Sequence, residues 1–315
     1  MPVFAFLIVC TTTLCSPAPS APLRTGPMSA GPLVWEAPPT AEVVDAYLDL
    51  CFEGRDLDGA FGLISEDVHF VDPTAEVFGG PGARGVTGRD LFRTLSESWS
   101  LESSHFEIAS SFVSGEYAVQ VGSLDWKTAG QPPVTGVPFC TVLRVQEGVI
   151  TERTDYGDYD DLVGTKRSPI EEAARSYFAA YAGLDLDGLE KRLAENAVLE
   201  DPIGASTGGV GRIEGQTHSL ASLEEAQAFV RDLDLEVAHS FFSGTHAFFY
   251  GTARYRVVLE GKEARLEHPF AHLIQFEGEK VILHRRYVDH ESIQRRLSSV
   301  LSKDARDAGA AKSEG

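Results

Sequence analysis

Residues 183–188 read Gly-Leu-Asp-Leu-Asp-Gly, and residues 54–59, 129 positions earlier, read Gly-Arg-Asp-Leu-Asp-Gly. The same offset carries Asp72-Pro73 onto Asp201-Pro202, so the match extends well beyond one short motif. Other segments that coincide at this offset are Glu107-Ile108-Ala109 with Glu236-Val237-Ala238, Phe112-Val113-Ser114-Gly115 with Phe241-Phe242-Ser243-Gly244, and Gly122 with Gly251. The matched residues are chemically varied, so low-complexity bias does not explain them. The sequence therefore contains an internal duplication.

The offset becomes 131 residues in the later part of the duplication. Pro138-Phe139 then coincides with Pro269-Phe270, and Tyr156-Gly157-Asp158 coincides with Tyr287-Val288-Asp289. Two additional residues in one hairpin of the second copy account for this change.

The duplication predicts two domains, at residues 36–163 and 169–300, joined by a short polar linker. Residues 1–35 are expected to be a signal-like or disordered segment. Residues 301–315 are rich in Ala, Gly and charge and are expected to be a disordered tail.

Each copy begins with apolar residues at helical spacing. In the first copy the stripe is Val43, Ala46, Tyr47, Leu50 and Cys51. In the second copy it is Ile170, Ala173, Ala174, Tyr177, Phe178 and Tyr181. We therefore predict an amphipathic helix at the start of each domain.

A second helix, a short strand and a third helix follow in each copy. We predict second helices over Leu57–Ile64 and Leu186–Ala194, short strands ending at Asp72 and Asp201, and third helices near Asp90–Trp99 and from Ser222, where Glu225 completes a capping box. The strands predicted after them are Phe106–Phe112, Tyr117–Trp126, Pro138–Val145 and Ile150–Asp155, and Leu235–Phe242, Ala247–Leu259, His268–Phe276 and Lys280–Val288. Helices followed by a strand meander are typical of an α+β fold.

Composition narrows the classes of partner. The 315 residues are 43% apolar and 23% charged, and the formal net charge is -20. Phosphate backbones and anionic membrane surfaces repel such a chain, so nucleic acid is not an expected partner.

The cysteines, Cys10, Cys15, Cys51 and Cys140, show no metal-like spacing, and we expect neither zinc nor a disulfide framework.

The N-terminal segment has features of a secretory signal. Residues 3–14 are mostly apolar and precede a Pro/Ala/Ser stretch in which Ala18-Pro19-Ser20 offers a small-residue cleavage site. The apolar run is too short for a membrane span. We expect export, and the alternative is a cytoplasmic protein whose translation starts at Met28.

The order of elements, the Gly-x-Asp end of the first helix and the strand Ala197-Val198-Leu199-Glu200-Asp201-Pro202 carry a resemblance to a known fold. Together with Tyr287-Val288-Asp289 on the last strand, they make nearly all of both copies resemble the NTF2-like superfamily, in its SnoaL-like and ketosteroid-isomerase-like branch. This resemblance implies two tandem cones, each with three N-terminal helices packed in a curved antiparallel sheet around a deep apolar pocket.

The resemblance also implies candidate catalytic residues. The base of the ketosteroid-isomerase branch falls at Asp201, and its oxyanion-binding tyrosine falls at Tyr177. The protonated aspartate that is the second oxyanion donor should fall at Ala271, so it is absent here. In the first copy the corresponding residues are Asp72, Tyr47 and Cys140, where Tyr47 requires a one-residue slip.

Simpler interpretations of these residues stay open. Asp before Pro at a strand end is a common turn, and a tyrosine on an apolar stripe can be a core residue. A second implied acid is Asp155, which has Arg153 nearby on the last strand; its alternative is a solvated acidic strand end.

Three histidines, His268, His272 and His284, lie on two neighbouring predicted strands. Three imidazoles can bind a metal ion, but polar packing is the interpretation we favour, so no metal or cofactor is expected.

Two hypotheses about function follow. The first is an enzyme that acts without a cofactor on a small, mostly apolar carbonyl compound by proton transfer, as an isomerase or cyclase. The second is a non-catalytic ligand-binding or scaffold protein.

Because NTF2-like domains often pair through their sheets, we expect the two domains to form an intramolecular pseudo-dimer in a monomeric chain.

Overall fold

A computed structural model describes residues 39–53, 56–78, 81–164, 170–206, 209–259 and 262–299. The predicted N-terminal segment 1–35, the tail 301–315 and most of the linker lie outside these residues. Domain 1 denotes the described residues up to 164, and domain 2 denotes those from 170 onward. No helix within the described residues is long and apolar enough to cross a membrane.

Domain 1 begins with two helices, continues with a short hairpin and a third helix, and ends in four long strands. Its elements are α1 (Thr40–Leu48), α2 (Leu57–Gly62), β1 (Ile64–Val71), β2 (Val86–Thr87), α3 (Arg89–Ser98), β3 (Leu101–Ser114), β4 (Tyr117–Thr128), β5 (Val134–Gln146) and β6 (Val149–Gly157). A π-helical turn, Asp49–Glu53, extends α1, and 3-10 turns cover Pro73–Phe78, Pro81–Arg84 and Asp160–Val163.

Domain 2 repeats this order with one additional short helix. Its elements are α4 (Glu171–Ala182), α5 (Leu186–Glu190), β7 (Leu193–Glu200), α6 (Pro202–Ser206), β8 (Arg212–Glu214), α7 (Gln216–Phe229), β9 (Val230–Ser243), β10 (His246–Leu259), β11 (Lys262–Glu277) and β12 (Lys280–Val288). A last helical segment covers 290–299.

Each domain has one six-stranded sheet, and the two sheets have the same topology. The strand orders are β2-β1-β6-β5-β4-β3 and β8-β7-β12-β11-β10-β9. The first short strand runs parallel to the last long one, and all other pairs are antiparallel. The prediction of two tandem NTF2-like α+β domains is confirmed.

The pairing register locates the two additional residues of the second copy. Gly122 pairs with Phe139 across β4 and β5, whereas Gly251 pairs with Phe270 across β10 and β11. The β10–β11 connection is therefore two residues longer, as the change of offset indicates.

The duplicated Asp-Leu-Asp-Gly motif caps the second helix of each domain. The Asp56 carboxylate accepts a hydrogen bond from the Gly59 N–H at 2.9 Å, and Asp185 accepts one from Gly188 at 3.0 Å. A Cβ on Gly59 would lie 2.6 Å from Asp56 Oδ2, so a larger residue there would displace the capping carboxylate.

The outer faces of the two sheets share one apolar cluster, called here the inter-sheet cluster. It contains Phe112, Tyr117, Val119, Val121, Cys140, Val142, Tyr156, Ile203, Phe241, Phe248, Tyr250, Ala271, Leu273 and Tyr287. The Tyr156 and Tyr287 hydroxyls, 131 positions apart, lie 3.3 Å from each other within it. The inner face of each sheet is thus left to pack on its own helices.

Three predicted helix boundaries are wrong. Helix α5 ends at Glu190, before the predicted Ala194, because β7 already begins at Leu193. Helix α7 begins at Gln216, six residues before Ser222, because Gly215 turns the chain with φ +88° and its carbonyl accepts the Ser219 N–H at 3.0 Å. Helix α2 ends at Gly62, before the predicted Ile64, because Ile64 is already the first residue of β1.

At the equivalent glycines Gly122 and Gly251, the backbone of the neighbouring strand leaves no room for a side chain. A Cβ on either residue would lie 1.9 Å from a carbonyl oxygen, that of Glu107 or Glu236. We expect Gly122→Ala to lower the free energy of unfolding by about 2 kcal/mol or more, because the added Cβ forces the backbone at Glu107 to move. The matched control is Gly62→Ala, where nothing lies within 4 Å. Urea denaturation of both variants checks this, and equal midpoints would contradict it.

Candidate active site

A cavity of about 630 Å³ lies inside domain 1 between its helices and the concave side of its sheet. Aromatic and aliphatic side chains form most of its wall, including Phe52, Phe70, Trp99, Leu124, Trp126 and Phe139. Four titratable residues reach it: Asp72, which follows β1, Arg153 and Asp155 on β6, and Tyr159, which follows β6. Arg153 and Asp155 share one face because side chains alternate along a strand.

Asp72 is held by three hydrogen bonds. Its Oδ1 accepts from the Thr74 hydroxyl at 2.6 Å and from the Ala75 N–H at 3.1 Å, and its Oδ2 accepts from the Tyr159 hydroxyl at 2.7 Å. Burial and the nearby Asp155 carboxylate raise its pKa to about 7, although the three hydrogen bonds act in the opposite direction. Asp72 can therefore exchange a proton near neutral pH.

Arg153 and Asp155 form a buried bidentate ion pair. The guanidinium donates from Nε to Oδ1 at 2.9 Å, and its Nη2 lies 2.7 Å from Oδ2. Its Nη1 donates to the Tyr47 hydroxyl oxygen at 2.6 Å. Although burial works against a charged guanidinium, the pKa of Arg153 lies well above its usual range, mainly because of Asp155. The cavity thus contains a fixed positive charge beside two carboxyl groups.

Tyr47, the predicted oxyanion donor of domain 1, lies on the far side of Arg153. It lines a second cavity of about 290 Å³, which shares Arg153 and Phe52 with the first. Burial raises the pKa of its hydroxyl well above the usual value. The Tyr47 hydroxyl therefore contacts Arg153 and is not one of the hydrogen-bond donors of Asp72, which are Thr74, Ala75 and Tyr159.

Domain 2 surrounds its equivalent aspartate with positive charge. Asp201 accepts hydrogen bonds from Arg286 Nη2 at 2.9 Å and the Gly204 N–H at 2.7 Å, and it bonds His290 Nε2 at 3.0 Å. Burial alone raises the pKa of Asp201, but Arg286 and His290 bring it down to about 2. The surrounding cavity is only about 110 Å³.

Tyr177, the predicted oxyanion donor of domain 2, bonds histidine and does not touch Asp201. Its hydroxyl lies 2.9 Å from His284 Nδ1, and His284 Nε2 lies 2.9 Å from His272 Nδ1. Burial, with a contribution from Arg286, lowers the pKa of His284 to about 3, so this row is uncharged at neutral pH.

The third predicted histidine, His268, bonds the Tyr255 hydroxyl at 3.1 Å. Among the described residues, no group of three or more His, Cys, Asp and Glu side chains could hold a metal ion. His268, His272 and His284 are buried, and each bonds a tyrosine hydroxyl or another histidine.

The offset of 131 relates the polar residues of the two sites. It pairs Arg153 with His284, Asp155 with Arg286 and Tyr159 with His290. Both Tyr159 and His290 bond the aspartate of their own domain. Sequence reasoning missed these two residues, although extending the offset one residue past the last matched motif would have paired them.

The expected third position of the catalytic set is wrong in both domains. Cys140 and Ala271 belong to the inter-sheet cluster, so their side chains point away from the cavities. Because strand residues alternate, the concave side at this level carries Thr141, which pairs with Asp155 across the sheet, and His272. Neither position carries an acid.

A family model of the SnoaL-like domain matches the chain twice, at residues 44–153 and 174–284. The chain therefore belongs to the SnoaL-like domain family and contains two copies of the domain. A search of curated proteins finds no significant match.

Solved structures similar to this chain span one domain each. One is described as a SnoaL-like polyketide cyclase from Shewanella denitrificans OS-217 (20% identity, 42% of this chain and 99% of that chain covered, TM-score 0.38). Another is an LEH-like epoxide hydrolase from M. tuberculosis (16% identity, 43% and 96% covered, TM-score 0.35). A third is an NTF2-like protein of unknown function from Burkholderia pseudomallei K96243 (22% identity, 41% and 98% covered, TM-score 0.37).

The two aspartates predict opposite pH dependences of stability. The folded-state pKa of Asp72 lies above its unfolded value of 3.8, so its contribution is complete below about pH 4 and is lost as the pH rises through about 7. Asp72→Asn should therefore gain stability relative to the parent, by about 2 kcal/mol or more, between pH 4 and pH 8. The folded-state pKa of Asp201 lies below 3.8, so its contribution is lost as the pH falls from about 4 to 2.

Urea denaturation of the parent, Asp72→Asn and Asp201→Asn at several pH values checks this contrast. The parent should exceed Asp201→Asn most clearly above pH 4. Parallel pH profiles of the two variants would contradict the assignment.

Proposed function

We propose that the cavity of domain 1 binds a small, mostly apolar carbonyl compound and that Asp72 transfers a proton to and from a carbon next to the carbonyl. The observation that carries this proposal is a buried carboxyl group with a pKa of about 7 at the wall of an apolar cavity. A base whose pKa lies near the working pH combines a large ionised fraction with useful proton affinity.

Asp72 and Arg153 divide the chemistry between them. Ionised Asp72 takes a proton from the α carbon, and the electron pair of the broken C–H bond moves to the carbonyl oxygen. The Arg153 guanidinium, which also lines the cavity, stabilises the negative charge that develops on this oxygen. Asp72 then returns the proton to the same or a conjugated carbon, which gives exchange or isomerisation without a cofactor.

The neighbouring polar residues position Asp72 and Arg153 or change their proton affinity. Asp155 orients the guanidinium through its bidentate contact and raises the proton affinity of Asp72. Tyr47 holds the opposite side of Arg153, so we assign it a positioning role in place of direct contact with the substrate. Tyr159 and Thr74 fix the two carboxyl oxygens of Asp72.

The walls of the cavity indicate the substrate class. Trp99, Trp126 and Phe139 contribute flat aromatic surface, and a volume of about 630 Å³ lies in the range of sites for drug-sized ligands. A mono- or polycyclic ketone with few polar substituents fits this lining.

Domain 2 suits the second hypothesis, a non-catalytic role. Asp201 has a pKa of about 2 and is paired with Arg286, so it is a weak base. A cavity of about 110 Å³ holds little more than a few atoms of ligand. We assign domain 2 a scaffold function, in which Tyr177 and Asp201 stabilise the fold.

Deuterium exchange tests the catalytic assignment without knowledge of the physiological substrate. A panel of enolisable cyclic ketones is incubated in D₂O with the parent protein, and loss of the α-proton signal is followed by NMR. We expect the rate to rise as the pH increases through about 7, because ionised Asp72 is the base. Asp72→Asn should reduce the rate at least 100-fold.

Asp201→Asn is the matched variant in domain 2, and thermal unfolding verifies that both variants are folded. It should retain the parent rate within about threefold, a change small compared with the loss of a general base. Equal loss in both variants, or exchange that survives Asp72→Asn, would refute the assignment of Asp72 as the base.

The inter-sheet cluster also supports a proposal about assembly. It covers the outer faces of both sheets with apolar side chains from the same chain, so pairing through these faces needs no second copy. We expect light scattering after size-exclusion chromatography to give the mass of one chain at micromolar concentration. A stable dimer under these conditions would argue against an intramolecular pseudo-dimer.

A further inference from the structure

Each domain places a carboxylate directly after the residue that bonds its site aspartate. In domain 1, Asp160 follows Tyr159, and in domain 2, Glu291 follows His290. The offset of 131 relates Asp160 to Glu291 as it relates Tyr159 to His290. The arrangement is therefore a shared feature of both copies.

Both carboxylates bond a hairpin of the other domain. Asp160 Oδ1 accepts from the Gly244 N–H at 3.0 Å and from the Ser243 hydroxyl at 3.4 Å. Glu291 Oε1 accepts from the Gly115 N–H at 3.0 Å, and the Glu291 N–H donates to Ser114 Oγ at 3.2 Å.

The two contacted hairpins carry the Ser-Gly pair that the duplication repeats. Gly115 has φ +59° and Gly244 has φ +56°. Glycine adopts this left-handed conformation at little cost, and both turns present an N–H to the other domain. The repeated Phe-x-Ser-Gly segment is thus a contact between domains.

The segment after β6 is tied at three points. The Gly157 N–H donates to Thr74 Oγ1 at 2.8 Å, the Tyr159 hydroxyl donates to Asp72, and Asp160 accepts from Gly244. A Cβ on Gly157 would lie 2.3 Å from the Tyr159 ring, so Tyr159 folds back closely over this segment. Asp160 is only 4% exposed and directly follows Tyr159, so its bond to the Gly244 N–H holds the backbone next to the tyrosine.

We propose that Asp160 is a positioning residue for the site of domain 1, and that its bond to the β9–β10 turn of domain 2 keeps the Tyr159 hydroxyl on Asp72. Domain 2 thereby completes the site of domain 1. The catalytic meaning of this contact rests on the function proposed above, whereas the contact and its effect on Asp72 do not.

The test measures the pKa of Asp72 directly, by NMR titration of carboxyl carbons in full-length protein labelled with ¹³C-aspartate. The signal of Asp72 is assigned by its loss in Asp72→Asn. The charged and titratable groups that face Asp72 are Asp155, Arg153 and Tyr159, and none of them is altered in the Asp160 variants. The measurement needs no substrate.

Tyr159→Phe provides the reference shift. Losing a hydrogen bond to the ionised form should raise the pKa of Asp72 by about one unit. Asp160→Ala should raise it in the same direction and by at least half of that shift. Removing the negative charge of Asp160 would by itself lower the pKa of Asp72, so a rise reports the displacement of Tyr159.

Two variants separate positioning from a general loosening of the interface. Glu291→Ala removes the equivalent contact next to the site of domain 2 and should leave Asp72 at the parent value. Asp160→Asn keeps an acceptor oxygen for the Gly244 N–H but loses the negative charge, so the pKa of Asp72 should lie at or slightly below the parent value and not above it. If Asp160→Ala does not fold, Asp160→Ser, whose shorter side chain does not reach Gly244, is titrated under the same criterion.

The outcomes distinguish this inference from the proposed function. A parent Asp72 that titrates near its ordinary value would overturn the proposed base and leave the comparison of variants intact. An Asp160→Ala variant with the parent pKa, while Tyr159→Phe shifts it, would overturn the positioning role. Equal rises in Asp160→Ala and Glu291→Ala would overturn it as well.

Discussion

The inter-sheet cluster is the interaction on which the rest of the molecule depends. Each sheet is apolar on both faces, and a sheet of this kind is stable only when both faces are covered. Helices cover the concave faces, and the neighbouring sheet covers the convex faces. Burying the convex faces against each other leaves the interior of each cone as the place where side chains are free to vary.

The two interiors show how position and charge together decide chemistry. Asp72 and Asp201 occupy the same place after the first strand of their sheets, and both are less than 10% exposed. Burial favours a raised pKa for both carboxyl groups. Asp155, near Asp72, adds to this rise, whereas Arg286, at the equivalent position near Asp201, outweighs it together with His290. A single reversal of charge on the last strand therefore accounts for much of the difference between the pKa values of the two carboxyl groups.

The duplication made most of the fold predictable from sequence. Strands β4, β6 and β12 lie within two residues of their predicted ends, since alternation and the matched segments mark them clearly. The start of α7 was not predictable, because Gly215 begins the helix by a turn with positive φ, and the capping box at Ser222 lies inside the helix. Asp72 and Asp201 were also identifiable from the sequence. The face of the sheet to which the Cys140 and Ala271 side chains point was not. A one-residue difference in alignment moves a strand residue to the opposite face.

Covalent fusion of the two cones has a consequence for how the protein can change. In a symmetric homodimer, every substitution appears in both sites at once, so a change that fills one pocket also fills the other. Here His272 and His284 occupy the interior of one cone while the other has kept its space. A single gene can thus encode one open cavity and one that side chains largely fill, with each half under separate selection.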